Sequence, residues 1–171
     1  MSSFGSFGHS LPLTGPSHIA DSGLFIGSGE DALNTQLLKE LGISHIVNVT
    51  TDVPCSDSNN TYLNIQIPDT SDTDISKYFT QFIQFVQPLL ASGQRVLVHC
   101  NAGISRSVTL VIAYIMYNDR KSLNESYEFV KQYRPQASPN LGFFGYLGIY
   151  ERELGIVSTP IVFSAPTPIG G

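Results

Sequence analysis

Strand-like and helix-like segments alternate through the middle of this chain of 171 residues. Short runs of apolar residues, several of them β-branched, have the length of strands. The longer segments between them carry apolar residues at helical spacing. The predicted strands are 24–26, 43–49, 63–67 and 95–98, and the predicted helices are 31–41, 74–88, 106–116, 122–133 and a last one from 138. This alternation predicts an α/β fold in which helices flank a central mixed, mostly parallel sheet.

Several residues predict where helices begin and end. Pro88 is expected to kink its helix or to end it early, because proline lacks a backbone N–H. Ser122 and Glu125 form a capping-box pattern, which opens a helix. Ser138 and Pro139 predict the start of the last helix, because proline is favoured at the first helical position.

Length and composition predict one domain with a tail at each end. A chain of this length with 42% hydrophobic residues can fill a single core. Residues 1–17 are rich in Ser, Gly and Pro and are expected to be flexible. Residues 156–171 are rich in Pro and Thr, which suits an extended strap or a tail better than a helix. The predicted domain therefore spans residues 18–155.

Charge, hydropathy and cysteine content exclude several classes of protein. Nine Lys and Arg against fourteen Asp and Glu give a net charge of −5, which predicts no general binding to nucleic acid. The longest strongly apolar stretch, 108–116, has about half of the ~20 residues that a membrane span needs, so we expect no membrane insertion. Cys55 and Cys100 match neither a disulfide framework nor a zinc-binding spacing. We therefore expect no metal site. We also expect both thiols to be reduced, in a protein located in the cytoplasm or also in the nucleus.

The most informative segment joins the strand 95–98 to the helix that begins near 106. It reads Val98-His99-Cys100-Asn101-Ala102-Gly103-Ile104-Ser105-Arg106-Ser107. A tight loop that enters a helix points several unpaired N–H groups at one place, where the helix dipole adds positive potential. Gly103 permits a positive φ, and Arg106 supplies a planar fork that can hold two phosphate oxygens. The predicted phosphate-binding residues are Asn101, Ala102, Gly103, Ile104, Ser105 and Arg106.

Cys100 lies at the start of this loop, where the field that attracts phosphate also stabilises a thiolate. The sequence therefore predicts that Cys100 attacks phosphorus and forms a phosphocysteine intermediate. Ser107 is placed to donate a hydrogen bond to the sulfur and ease its departure when water attacks. The alternative is a buried structural cysteine followed by an exposed Arg106. It requires the pattern His-Cys-x-x-Gly-x-x-Arg to arise by chance, with a probability of roughly 10⁻⁴ for this composition.

This segment resembles the signature of the dual-specificity branch of the cysteine-dependent protein phosphatases, which is His-Cys-x-x-Gly-x-x-Arg followed by Ser or Thr. The resemblance extends over about residues 19–154. Further matching landmarks are 24–28, 43–50, 74–79, 113–116, 134–135 and 138–143. The resemblance implies a sheet flanked by helices, a phosphate-binding loop between a buried strand and a helix, no cofactor, and hydrolysis in two steps.

Such hydrolysis needs an acid that protonates the departing oxygen and then acts as a base on water. The candidates are Asp69, Asp72 and Asp74, which follow the strand 63–67. Asp69 stands ten residues before Phe79, the spacing that the resemblance implies for the general acid. We therefore favour Asp69. Asp74 is better placed to cap a helix, and Asp72 to be a solvated loop carboxylate.

Three further residues have weaker assignments. His99 is expected to orient the loop through hydrogen bonds rather than to transfer protons. Asn140 either hydrogen-bonds to the phosphate loop, as the resemblance implies, or caps the last helix. Cys55 is either an ordinary surface thiol or a partner for reversible oxidation of Cys100, since cysteines of low pKa oxidise readily.

The expected partners are phosphoprotein substrates. The large tyrosine-specific phosphatases use a Trp-Pro-Asp loop and extra segments that deepen the pocket, whereas this chain is short and has no Trp. A shallow site would accept phosphotyrosine as well as phosphoserine and phosphothreonine. Arg106 is the only cation in the loop, which argues against polyphosphorylated headgroups and RNA triphosphate ends. We therefore predict a small, stand-alone protein phosphatase. The alternatives are a phosphopeptide-binding pseudophosphatase and a lipid or RNA phosphatase with the same mechanism.

Overall fold

The computed structural model describes residues 14–157, and the parts of the two predicted tails at 1–13 and 158–171 lie outside the described residues. Within residues 14–157 the chain forms five strands, six α-helices and one 3₁₀ helix. The strands are β1 Ser17–His18, β2 Leu24–Gly27, β3 His45–Asn48, β4 Thr61–Asn64 and β5 Val96–His99. The α-helices are α1 Gly29–Leu33, α2 Thr35–Glu40, α3 Phe79–Ala91, α4 Arg106–Asp119, α5 Leu123–Tyr133 and α6 Leu141–Glu153, and the 3₁₀ helix is Ile75–Tyr78.

The five strands form one sheet in the order β1-β2-β5-β3-β4. β2, β5, β3 and β4 run parallel to their neighbours, and β1 is antiparallel to β2. The pairing register places Gly27 of β2 and Asn48 of β3 on either side of His99, the last residue of β5. The carboxyl end of β5 therefore lies between the ends of two neighbours, the place where such sheets bind ligands. The predicted α/β class with a mixed, mostly parallel sheet is confirmed.

Successive side chains of β5 point to opposite faces of the sheet and enter two separate apolar clusters. Val96 and Val98 pack with the apolar faces of α3, α4 and α6. Leu97 packs with Phe25 and Leu38 on the other face. All three β5 residues are 0% exposed. A strand buried on both faces must be apolar throughout, which is why this run indicates a central strand.

The helix predicted over 31–41 is divided into α1 and α2. The side-chain oxygen of Asn34 accepts a hydrogen bond from the N–H of Leu37 at 3.1 Å, so this residue caps α2 instead of continuing α1. Asparagine favours such caps because its side chain competes with the helical backbone. As a result Leu33 is 45% exposed and does not share a buried face with Leu38.

Pro88 does not end α3, which continues to Ala91. A proline removes only the hydrogen bond that its own N–H would donate, and here it stands in the last turn. Beyond the helix, Ser92 and Gly93 donate their N–H groups to the carbonyls of Pro88 and Leu90 at 3.1 and 3.0 Å. These bonds complete the turn, and none of them needs an N–H from Pro88.

The last helix begins two residues later than Pro139. Its N-cap is Asn140, whose side-chain oxygen accepts a hydrogen bond from the N–H of Phe143 at 2.9 Å. A side chain that satisfies an orphan N–H in this way defines the start of a helix more strongly than a proline does. The capping box of Ser122 and Glu125 is present at the start of α5, as predicted.

Of the two edge strands, β4 differs from its predicted boundaries and β1 was not predicted. β4 covers Thr61–Asn64 and stops before 67, although Ile65 still donates its N–H to the carbonyl of Asn48 at 2.9 Å. β1 begins at Ser17, a residue of the predicted N-terminal tail. Edge strands pair on one side only, and short ones are common. Ser17, which was predicted to lie in the tail, therefore belongs to the sheet.

Leu97→Ala tests the burial of β5 on both faces. We expect the free energy of unfolding to fall by about 2–5 kcal/mol, because the change removes apolar contacts and leaves a cavity. Denaturant unfolding followed by circular dichroism measures this loss. Leu33→Ala is the matched control, since Leu33 is 45% exposed, and it should cost less than about 1 kcal/mol. Equal losses in the two variants would contradict the central position of β5.

Candidate active site

The predicted phosphate-binding residues form a loop at the carboxyl end of β5. Cys100 directly follows β5, and α4 begins at Arg106, so the loop 100–105 leads straight into the N-terminus of a helix. Gly103 has a φ of +67°, and a Cβ at this position would lie 2.5 Å from the carbonyl oxygen of Gly27. Only glycine adopts this conformation at this distance without strain. The tight turn of the loop thus depends on Gly103.

Cys100 lies at the base of this loop and is 2% exposed. Burial raises the pKa of its thiol. The hydroxyl of Ser107, whose Oγ is 3.2 Å from the Cys100 Sγ, and the N–H groups of Ser107, Ile104 and Gly103 together lower the pKa by more. The pKa of the thiol therefore lies below its ordinary value, and the thiolate is more populated near neutral pH than in a free cysteine.

Arg106 is the first residue of α4 and is 6% exposed. Its Nη1 donates a hydrogen bond to the carbonyl oxygen of Ile67 at 2.9 Å, which holds the guanidinium in place. Its Nε is buried and has no hydrogen-bond partner among the described residues. A buried N–H without an acceptor costs about 1–3 kcal/mol, and more when the group is charged. An oxyanion bound in the loop would supply an acceptor for this N–H.

Arg134, which follows α5, supports the loop from beneath. It is 2% exposed and donates hydrogen bonds to the carbonyl oxygens of Gly103 at 2.5 Å and Ala102 at 3.2 Å. It also donates to Ile26 at 3.3 Å and to the hydroxyl of Ser17 at 3.0 Å. Because these loop carbonyls are bound by Arg134, they are turned away from the place where phosphate would lie.

Sequence reasoning missed this role of Arg134. The residue contributed to the family resemblance, but nothing in its own segment indicates a contact with residues about 30 positions earlier. The one available signal is the identity of the side chain. Arginine offers five donors in a fixed fork, and an arginine at the end of a half-apolar helix is able to bind several carbonyls at once.

Asp69 is the only one of the three candidate acids that hydrogen-bonds to the phosphate loop. Its Oδ1 accepts hydrogen bonds from the hydroxyl of Ser105 at 2.9 Å and from the side-chain amide of Asn140 at 2.8 Å. Asp74 instead caps the 3₁₀ helix. Asp72 is exposed, and a hydrogen bond from the Thr70 hydroxyl lowers the pKa of its carboxyl.

Asn140 caps α6 with its side chain and hydrogen-bonds to the phosphate loop through its backbone N–H. Its oxygen caps α6, while its amide nitrogen contacts Asp69. Its backbone N–H also donates to the Ser105 hydroxyl at 2.9 Å. Gly142, two residues on, packs so closely on the carbonyl of Ser71 that any Cβ would overlap it. The start of α6 therefore contacts both the phosphate loop and residues 69–72, which we call the acid loop.

The remaining predicted residues lie at the edges of the site. His99 is 1% exposed, burial lowers its imidazole pKa, and its Nδ1 lies 3.3 Å from the carbonyl oxygen of Cys100. Asn101 is exposed and donates a hydrogen bond to Asp52 at 3.3 Å. Cys55 is an exposed free thiol that donates to the side-chain oxygen of Asn64 at 2.9 Å, and its redox role stays a prediction.

Residues 14–157 contain no group of three or more His, Cys, Asp and Glu side chains placed to hold a metal ion. Across the same residues, each helix is too short or too polar to cross a lipid bilayer.

Comparison with known proteins identifies similar chains. The family model described as dual specificity phosphatase, catalytic domain, matches residues 24–153. The rat protein dual specificity protein phosphatase 7 is 39% identical over 155 residues, which cover 84% of this chain and 37% of the rat protein. This chain therefore spans less than two fifths of the length of the curated relatives that it matches.

Solved structures agree with this match. The crystal structure of human DUSP28 has a TM-score of 0.77 at 28% identity and covers 82% of this chain and 95% of that one. The structure of the human tyrosine phosphatase-like serine/threonine/tyrosine-interacting protein has a TM-score of 0.75 at 32% identity. It covers 81% of this chain and 97% of that one.

Ser107→Ala tests the stabilisation of the Cys100 thiolate. Loss of the hydroxyl donor should raise the pKa of the thiol, so that at any pH below the midpoint less thiolate is present and alkylation is slower. The rate of reaction with iodoacetamide against pH gives the midpoint, measured in a Cys55→Ser background so that Cys100 is the only thiol.

Ser126→Ala is the control for this measurement, because Ser126 is a buried serine of α5 that does not contact Cys100. Its midpoint should equal that of the parent. A midpoint in Ser107→Ala that is unchanged, or shifted to lower pH, would contradict the assignment.

Proposed function

Because the chain belongs to the dual specificity phosphatase family, we propose that it hydrolyses phosphotyrosine and phosphoserine or phosphothreonine in proteins through a phosphocysteine intermediate. The observation that carries this proposal is the pairing of a thiol of lowered pKa with a buried arginine N–H that lacks an acceptor. A phosphate dianion would accept from Arg106 and from the loop N–H groups, and it would bring its phosphorus next to the Cys100 sulfur.

In the first step the Cys100 thiolate attacks phosphorus. An S–P bond forms, and the P–O bond to the substrate breaks. The departing oxygen takes a proton from Asp69, so that a neutral alcohol or phenol leaves. The loop N–H groups and Arg106 stabilise the negative charge on the three non-bridging oxygens throughout the transfer.

In the second step a water molecule attacks the phosphocysteine. Asp69, now ionised, accepts a proton from that water, a new P–O bond forms, and the S–P bond breaks. The hydroxyl of Ser107 lies 3.2 Å from the sulfur and donates a hydrogen bond to the thiolate as it leaves. The same contact that lowers the pKa of the thiol therefore makes the thiolate a better leaving group.

The shape of the site supports substrates of more than one kind. Asp69, Asn101 and Ala102 are exposed, and Ile104 is 37% exposed, so the loop opens directly onto the surface. A phosphate on a short serine or threonine side chain can reach such a loop as well as one on tyrosine. Arg106 is the only cation within the loop, which supports a monophosphate ester over an inositol polyphosphate or an RNA triphosphate end. The free cysteines within residues 14–157 suit the reducing cytoplasm or nucleus that we propose as its location.

Cys100→Ser and Cys55→Ser form a matched pair that tests the proposed chemistry. The wild type should hydrolyse a small aryl phosphate in the presence of a metal chelator, and vanadate should inhibit it. Cys100→Ser should lower kcat/KM by at least about 10³-fold, because a hydroxyl cannot replace the thiolate. Cys55→Ser should retain the wild-type rate, since Cys55 is exposed and lies outside the loop.

Two results would contradict the proposal. Turnover by the wild type equal to that of Cys100→Ser would favour the phosphopeptide-binding alternative. A kcat/KM at least about 100-fold higher on inositol phosphates or triphosphorylated RNA than on phosphopeptides, or about 2.7 kcal/mol of transition-state preference, would favour the lipid or RNA alternative.

A double-mutant cycle tests whether Asn140 acts through Asp69. For a substrate with a poor leaving group, Asp69→Asn should lower kcat by about 10²-fold, because the departing oxygen loses its acid. Asn140→Ala should lower kcat by about 10-fold, because one of the two donors that hold the Asp69 carboxylate is lost. In the Asp69→Asn background, Asn140→Ala should have no further effect.

Asn34→Ala is the control for this cycle, since Asn34 caps α2 as Asn140 caps α6, but its side chain is hydrogen-bonded to Leu37 and not to Asp69. It should cost about 1 kcal/mol of stability and leave kcat unchanged. Independent losses from Asn140→Ala and Asp69→Asn would show that Asn140 does not position the acid.

A further inference from the structure

The distribution of charge around the loop is uneven. All nine Lys and Arg residues of the sequence lie within residues 14–157, so the structure places each of them. Only Arg106 and Arg134 belong to the phosphate loop or its support, and the donors of Arg134 are taken by carbonyls and a hydroxyl. The other seven lie on α2, the 3₁₀ helix, α5, α6, the turn after α4 and the amino end of β5. Of these, Lys77 is nearest in sequence to the acid loop, and its Nζ lies 3.7 Å from Asp74.

Carboxylates, in contrast, stand on two sides of the opening. We call the exposed residues Asp52, Asp69, Asp72, Asn101 and Ile104 the mouth of the site. Asp52 lies on the first side, where its Oδ2 is 3.3 Å from the side-chain nitrogen of Asn101, the residue after the nucleophile.

On the same side, Gly29 donates its N–H to the carbonyl oxygen of Asn101 at 3.0 Å, which brings the exposed Glu30 next to this part of the loop. This contact ties the start of α1 to the mouth. Glu30 and Asp52 therefore place two negative charges beside Asn101, and no described Lys or Arg side chain is hydrogen-bonded or ion-paired to either of them.

Asp72 lies on the second side, three residues after Asp69. The intervening Ser71 packs its backbone against Gly142, next to Asn140, so this stretch is held against the start of α6. Asp72 itself is exposed, and the hydrogen bond from Thr70 lowers the pKa of its carboxyl, which keeps it ionised at neutral pH.

Arg106 determines where a substrate must lie relative to these carboxylates. Its Nε is buried, lacks an acceptor within the described residues, and belongs to the loop that would bind phosphate. A phosphate held there fixes the phosphorylated residue, and the residues on either side of it then pass over the mouth. Charges on those residues would lie within about one Debye length, 8–10 Å at physiological salt, of Asp52 and Asp72.

We propose that the mouth selects a single phosphorylated residue flanked by lysine or arginine, and that it disfavours acidic flanks and a second phosphate nearby. This inference rests on the proposed function and names its substrate class. Cationic side chains beside the phosphate gain from the carboxylates on both sides. A neighbouring carboxylate or phosphate meets like charges there, and no described lysine or arginine side chain is hydrogen-bonded or ion-paired to Asp52 or Asp72.

Three phosphotyrosine peptides that differ only in their flanks provide the test. The residues on both sides of the phosphotyrosine are Lys, Gln or Glu, and kcat/KM is measured for each and divided by that for a small aryl phosphate. At about 0.02 M salt we expect this normalised kcat/KM to fall in the order Lys, Gln, Glu, with about 10-fold between the extremes. At about 0.5 M salt the difference should shrink to about 2-fold.

Substitution of one aspartate on each side of the mouth tests whether the preference for basic flanks arises there. Asp52→Asn with Asp72→Asn should reduce the ratio of the Lys peptide to the Glu peptide by about 3- to 5-fold at low salt. Asp21→Asn is the matched control. Asp21 is exposed, and it precedes β2, so it stands at the end of the strands opposite to the loop. Asp21→Asn removes one negative charge, as each of the two mouth substitutions does, and the ratio should stay at the wild-type value.

The inference is overturned if the wild type favours the Glu peptide or shows no preference, or if the double variant behaves like Asp21→Asn. Failure of the proposed function has a different signature, in which neither the peptides nor the aryl phosphate are turned over faster than by Cys100→Ser. In that case the dissociation constants of the three peptides for Cys100→Ser measure the same charge preference. Equal constants would overturn the inference, and the order Lys, Gln, Glu would support it.

Discussion

The hydrogen bonds from the buried Arg134 guanidinium to the carbonyls of Ala102 and Gly103 hold the geometry on which the whole site depends. A peptide group is planar, so a carbonyl bound from beneath turns the N–H of the same peptide to the other side. The N–H groups of Gly103 and Ile104 belong to these two peptides, and both contribute to the lowered pKa of the Cys100 thiol. One buried cation therefore stabilises the thiolate through the orientation of the backbone, in addition to its direct Coulomb attraction to Cys100.

Ser105 joins this loop to the element that carries the acid. Its hydroxyl donates to Asp69 and accepts from the N–H of Asn140, while the Asn140 side chain donates to the same Asp69 oxygen. A short chain of hydrogen bonds thus links the phosphate loop, Asp69 and the start of α6. The exposed carboxylates lie outside this chain, where they are free to interact with the residues that flank a bound phosphate.

Local signals in the sequence predicted the elements better than their boundaries. The apolar run of β5 and the capping box of α5 were sufficient, because each depends on residues that are adjacent or one turn apart. The helix over 31–41 was predicted as one element because its apolar spacing is continuous, and the cap at Asn34 divides it. The last helix was predicted to start at Pro139, but Asn140 is its N-cap, because a capping side chain satisfies an orphan N–H and a proline does not.

The sequence by itself indicated the proposed nucleophile, its arginine and the glycine of the turn, because a phosphate-binding loop is built from consecutive residues whose conformations are local. Among three candidate acids, it favoured Asp69 only through the spacing that the family resemblance implies, and it gave Arg134 no role. Only the tertiary structure decided these points, because the contacts of Asp69 join residues 36 and 71 positions apart and that of Arg134 with Gly103 joins residues 31 apart. No local pattern encodes such distances. They follow from the way parallel strands bring their carboxyl ends to one edge of the sheet.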